Sequence, residues 1–79
     1  MARRIEALLL GDAGRYELRG ELCWAEPDAG LPARVELDRV LFNHREIDTA
    51  EFAMLEGYRD EESAERFLIG HLSAHGVRS

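Results

Sequence analysis

Polar and apolar residues alternate without a slip from Arg15 to Trp24. Tyr16, Leu18, Gly20, Leu22 and Trp24 fall on one side, and Arg15, Glu17, Arg19, Glu21 and Cys23 on the other. A period of two is that of a strand with one face buried and the other wetted. Arg4 to Leu10 reads as an earlier strand. Gly11-Asp12-Ala13-Gly14 between the two holds the glycines and Asp of a tight connection, so the pair is expected to form a hairpin. Glu26 to Pro32 is loop, because Pro27, Gly30 and Pro32 do not suit a central strand. Arg34 to Phe42 is a third strand whose alternation slips near Asp38 and Arg39, where a β-bulge is expected. Asn43-His44-Arg45 is a turn, and Glu46-Ile47 adds a short fourth strand.

From Asp48 the period becomes helical. Asp48 or Thr49 is the N-cap, with Glu51 three residues after Asp48 as in a capping box, and Gly57 ends this short helix. Asp60 caps a second helix with Glu61 and Glu62 in its first turn; Ala64, Phe67, Leu68 and Leu72 form its apolar face, and Gly76 stops it after His75. Tyr16 and Trp24 on the strand are expected to pack in the core against Phe52 and Phe67 of the helices. The predicted fold is α+β, a three- or four-stranded, mainly antiparallel sheet with two C-terminal helices packed on one face. Seventy-nine residues bury too little surface for two cores, so residues 1–79 are expected to be one domain.

Charge changes the picture more than composition does. Residues 46 to 65 contain eight acids, Glu46, Asp48, Glu51, Glu56, Asp60, Glu61, Glu62 and Glu65, against Arg59 alone. The remaining residues hold eight acids and nine arginines, so the helical third accounts for the whole formal charge of −6. Such a run serves solubility as a wetted helix face, or presents a rigid array of carboxylates that a basic groove reads as phosphates. The second reading makes Glu51, Glu56, Asp60, Glu61, Glu62 and Glu65 the candidate contacts and a basic nucleic-acid-binding protein or complex the partner. Free DNA is repelled by this face. On the sheet, Arg15 and Arg19 share one face and Arg34 lies on the next strand, an alternative nucleic-acid contact. Glu17, Glu21 and Glu36 interleave with them, which favours cross-strand ion pairs instead.

Catalytic chemistry finds little to work with. All ten basic residues are arginine, which excludes a Schiff-base or P-loop lysine. Ser63, Ser73, Ser79, Thr49 and Cys23 stand in no nucleophile motif. His71 and His75 share a helix face at i, i+4, but two histidines without a third ligand at a recognisable spacing make no metal site; placement near a helix C-terminus accounts for them. No catalytic residue, cofactor or metal is expected. Cys23 is the one cysteine and reads as a buried thiol, and no uninterrupted apolar run exceeds four residues, so a membrane span is not expected and a cytoplasmic location is. The oligomeric expectation is a monomer or a homodimer.

The segment Arg34-Val-Glu-Leu-Asp-Arg-Val-Leu-Phe, then Ala50-Glu-Phe-Ala and Leu55-Glu-Gly-Tyr-Arg-Asp-Glu-Glu-Ser-Ala-Glu-Arg-Phe, resembles the C-terminal part of ASCH domains. The resemblance covers roughly half the chain. It implies a β-barrel module concerned with RNA, for which the arginine-bearing strand face with Arg15, Arg19 and Arg34 is the candidate contact. The amidohydrolase activity of some members uses a lysine, which this chain lacks, and is not implied. In size and charge placement alone the chain is also similar to small acidic phage anti-CRISPR inhibitors. The leading expectation is therefore a non-enzymatic inhibitor that occludes a basic nucleic-acid-binding surface, and the alternative an RNA-binding module.

Overall fold

The structure, a computed structural model, describes residues 2–78. Five strands, β1 (Ala2–Leu10), β2 (Arg15–Cys23), β3 (Arg34–Phe42), β4 (Arg45–Ile47) and β5 (Val77–Arg78), form one antiparallel sheet in the order β4-β3-β2-β1-β5. Two helices, α1 (Thr49–Glu56) and α2 (Glu61–His75), pack on one face of the sheet. The α+β architecture expected from the alternation is the one observed. The two-residue β5 beside Ile5 and Glu6 is the addition, beyond reach of periodicity because two residues carry none.

Each boundary has a local cause. Asn43 and His44 both take positive φ, 52° and 67°, as a two-residue hairpin turn between β3 and β4 requires. Asp48 Oδ1 accepts a hydrogen bond from the Glu51 amide at 2.8 Å and Asp60 Oδ1 accepts one from the Ser63 amide at 2.7 Å, so both caps stand where the sequence placed them. Gly57 closes α1 in the left-handed region at φ 76°, where a side chain is strained.

The bulge is at Asp38. Arg19 pairs with Arg39 and Gly20 with Leu37, leaving Asp38 without a partner on β2. With that extra residue, Val35, Leu37, Val40 and Phe42 all turn toward the helices. α2 crosses β2 at Gly20, where a Cβ would collide with the Glu36 carbonyl oxygen and meet Leu72 Cδ2 at 2.6 Å. Leu72, Leu68 and Ala64 of α2 are fully buried against Ile5, Ala7, Leu9, Tyr16, Leu18 and Val40.

Two aromatic expectations need correction. Tyr16 and Phe52 meet in the core edge-to-face at 4.8 Å, but Phe67 is 42 % exposed and Trp24 38 % exposed. Phe67 stacks along the outside of α2 between Tyr58 and His71. Trp24 lies past the last helix that would cover it, with the Arg3 guanidinium 5.4 Å from its ring centre. Cys23 is half-buried rather than buried. Among the described residues no helix is long and apolar enough to cross a membrane. Ser79 lies outside the described residues.

Candidate functional site

The two caps aim the acids. Asp48 starts α1 at the end of β4, and Asp60 starts α2 after the Gly57 turn, so the first turns of both helices sit beside β3 and β4. Glu61 and Glu65, one turn apart on α2, face an open groove of about 430 Å³. Its other walls come from the bulge and the β3–β4 hairpin: Leu37, Asp38, Arg39 and Val40, then Glu46, Ile47, Asp48 and Thr49. Five acidic residues, Asp38, Glu46, Asp48, Glu61 and Glu65, thus line the groove with Arg39, and Asp48 Oδ1 among them is engaged in the α1 cap. Arg39 Nε is 3.4 Å from Glu46 Oε1, with both side chains more than half exposed, so the pair is weak and the groove keeps a negative field.

The remaining expected contacts are dispersed. Glu62 lies beside the groove next to Glu65 and pairs with Arg66 at 3.4 Å. Asp60 is taken up by its capping bonds. The Ser63 backbone amide and hydroxyl hold its carboxyl below the usual value. Glu51 lies 3.6 Å from Arg45. Glu56 turns away altogether. It accepts hydrogen bonds from the Asp12 and Ala13 amides at 2.8 and 2.9 Å and from the Tyr16 hydroxyl at 2.7 Å, tying the end of α1 to the β1–β2 turn. Its conspicuous charge serves the fold. Conversely, Asp38, Glu46 and Asp48 join the groove although the sequence reading did not select them. For Asp38 the one signal was the slip in alternation, which marks a side chain that leaves the strand's regular faces.

The opposite face of the sheet is uncovered and electrically balanced. Arg19 Nε lies 3.5 Å from Glu6 across the β1–β2 ladder, and Arg34 Nε donates to Glu36 Oε1 at 3.0 Å. The hydrogen bond to Glu36, followed by that residue's charge, raises the Arg34 pKa. Arg15 lies by Glu17, Asn43 and His44. The three arginines therefore share a face without forming a basic cluster, and two of them are matched to carboxylates. Glu21, Cys23 and Glu36 bring donor atoms within 4.8 Å of one another on that face, with Glu36 engaged by Arg34. On α2, His71 and His75 lie ring to ring at 4.6 Å. His71 Nε2 is 2.9 Å from the Leu8 carbonyl oxygen, which as an acceptor requires the proton on that nitrogen.

Comparison with protein-family models, with curated proteins and with solved structures finds no match to this chain.

Proposed function

We propose that this protein is a non-enzymatic binding module, an inhibitor that seats its acidic groove on a basic nucleic-acid-binding surface of another protein. The observation that carries this reading is the gathering of acidic residues from four elements along one groove, Asp38 from β3, Glu46 from β4, Asp48 from the α1 cap, and Glu61 and Glu65 from α2, with Glu61 and Glu65 free of any cap. Carboxylates on a rigid sheet-and-helix frame hold fixed spacings, as phosphates do on a backbone. A basic groove that meets them loses little conformational freedom and gains a complementary field.

The test is retention of partners from the native host on tagged protein, with nuclease present, at low and moderate salt, for the wild type and for Glu61→Arg with Glu65→Arg. The reading expects a basic nucleic-acid-binding protein that is lost as salt rises and lost in the double reversal. The recovered protein's affinity for its nucleic acid should fall when this chain is added. Equal retention by the reversed variant would sink the assignment. Recovery of RNA itself would transfer the function to the face bearing Arg15, Arg19 and Arg34.

A further inference from the structure

The helical layer is shorter than the sheet it covers. Along the inward face of β2, Tyr16 and Leu18 are fully buried and Gly20 is buried under Leu72, but Leu22 is half-buried, and Trp24, one residue past the end of β2, is 38 % exposed. The same decline runs along β3, from buried Val40 to half-buried Leu37 and Val35. Leu37 is opposite Gly20 and Val35 opposite Leu22, so these residues adjoin across the ladder. Leu22, Trp24, Val35 and Leu37 therefore form an apolar shelf on the helix side of the sheet, just past the point where α2 crosses. Leu37 belongs also to the acidic groove, so shelf and groove are one continuous surface with Glu61, Glu65 and Asp38 at one end. At the other end Arg3, opposite Leu22 on β1, lies over the Trp24 ring.

We infer that this shelf is the apolar half of the partner site, and that its occupant is an amphipathic helical segment carrying arginine or lysine beside an apolar stripe. The inference rests on the proposed function and adds to it what a pure phosphate mimic lacks, a place for apolar side chains. From the level of Gly20 to that of Trp24 the floor runs about 13 Å along the strands, at roughly 3.3 Å per residue. That length matches apolar anchors at i, i+3 or i+4, and i+7 of a helix, which span about 10.5 Å. Basic residues flanking the stripe then meet Glu61, Glu65 and Asp38, and the charge complementarity sets which end of the shelf they take. A strand or a flat basic surface would satisfy the carboxylates and leave the shelf wet.

Trp24 is the one tryptophan of the chain and reports directly on the shelf. The probe is a Trp-free peptide of about 18 residues, with leucines at helical spacing and arginines on the flanking stripe. A second peptide of the same composition, scrambled to lose the stripe, is the control. Titration of the whole protein with the amphipathic peptide should shift Trp24 emission to the blue and saturate. Labelled peptide should bind at least tenfold more tightly than the scrambled one and keep measurable binding at about 0.5 M salt, where exposed charge pairs are screened. Trp24→Ser should weaken binding about tenfold, as loss of one aromatic anchor does, with the circular dichroism spectrum unchanged.

Equal binding of both peptides with silent Trp24 emission would overturn the shelf and leave the acidic groove standing. No binding of either peptide would overturn the shelf and count against the groove as well. Light scattering on the protein alone closes the remaining route. Self-association with a concentration-dependent Trp24 shift would assign the shelf to a second copy of this chain and overturn the inference.

Discussion

Glu56 makes three hydrogen bonds that join residues forty or more positions apart. Partial burial pushes its pKa up, but the bonds from Tyr16, Ala13 and Asp12 together outweigh that and hold it below the ordinary 4.5. The sign of the linkage follows: the stability due to Glu56 is full above the unfolded value near 4.5 and is lost as pH falls through the lower folded value. Tyr16 moves the opposite way. Burial first, then the hydrogen bond and charge of Glu56, raise its hydroxyl well above the usual tyrosine range, so its share is full below pH 10.0 and lost on passing the folded value. Glu56→Ala should cost about 2 kcal/mol, since two turn amides and a part-buried hydroxyl lose a charged acceptor. Urea denaturation at pH 7 measures this. The acid limb of a stability profile should be shallower in Glu56→Gln than in the wild type, and an unchanged limb would show that other carboxylates govern acid unfolding.

At the scale of elements, the bulge and the helix crossing depend on each other. Asp38 is the residue that keeps both halves of β3 facing the helices, and Gly20 on the neighbouring strand leaves the space that Leu72 occupies. Deleting Asp38 moves one half of the strand by one position, which turns either Val35 and Leu37 or Val40 and Phe42 toward water. Thermal melting of the deletion variant should show no cooperative transition. Gly20→Ala forces a methyl against the Glu36 carbonyl and Leu72, and overpacking of this kind costs about 1 to 3 kcal/mol. A midpoint equal to that of the wild type would mean the crossing relaxes freely. The cap of α1 is a smaller contribution: Asp48→Ala should lower stability by about 1 kcal/mol and, by removing a groove carboxylate, also weaken the salt-sensitive association.

For the molecule as a whole, the asymmetry of charge is an asymmetry of faces. The outer sheet face matches Arg19 with Glu6 and Arg34 with Glu36, whereas the groove is lined by five acidic residues and by Arg39, which with Asp38 also borders the outer face. Glu61→Arg with Glu65→Arg changes the net charge from −6 to −2, yet touches no buried contact. Stability should fall by no more than about 1 kcal/mol, the cost of placing a cation in the first turn of α2 at Glu61, while association with a basic partner should lose most of its rate. Stopped-flow mixing and a thermal melt on the same preparation separate the two effects. A variant that binds slowly because it is unfolded would fail the melt.

Sequence alone was enough for four of the five strands and both helices, though β1 starts two residues and β4 one residue before the pattern places them, β2 ends at Cys23, and β5 carries no pattern. Period-two alternation from Arg15 to Trp24 made β2, Asp48 and Asp60 made caps, Gly57 made a stop, and the slip at Asp38 made a bulge, because each depends on side chains and backbone within a few residues. The groups of acids that share a surface were not legible in this way. Glu56 stands among acids in the chain, yet bonds a turn at residues 12 and 13; Asp38 stands in a strand, yet lines a groove with Glu61 and Glu65. Nor does alternation reveal that Trp24 and Phe67 escape the core, since period places a residue on a face but not beneath a covering layer. Those outcomes are set by where α2 crosses the sheet and how far it reaches. The crossing depends on the fit of Leu72 over Gly20, a contact between residues 52 positions apart.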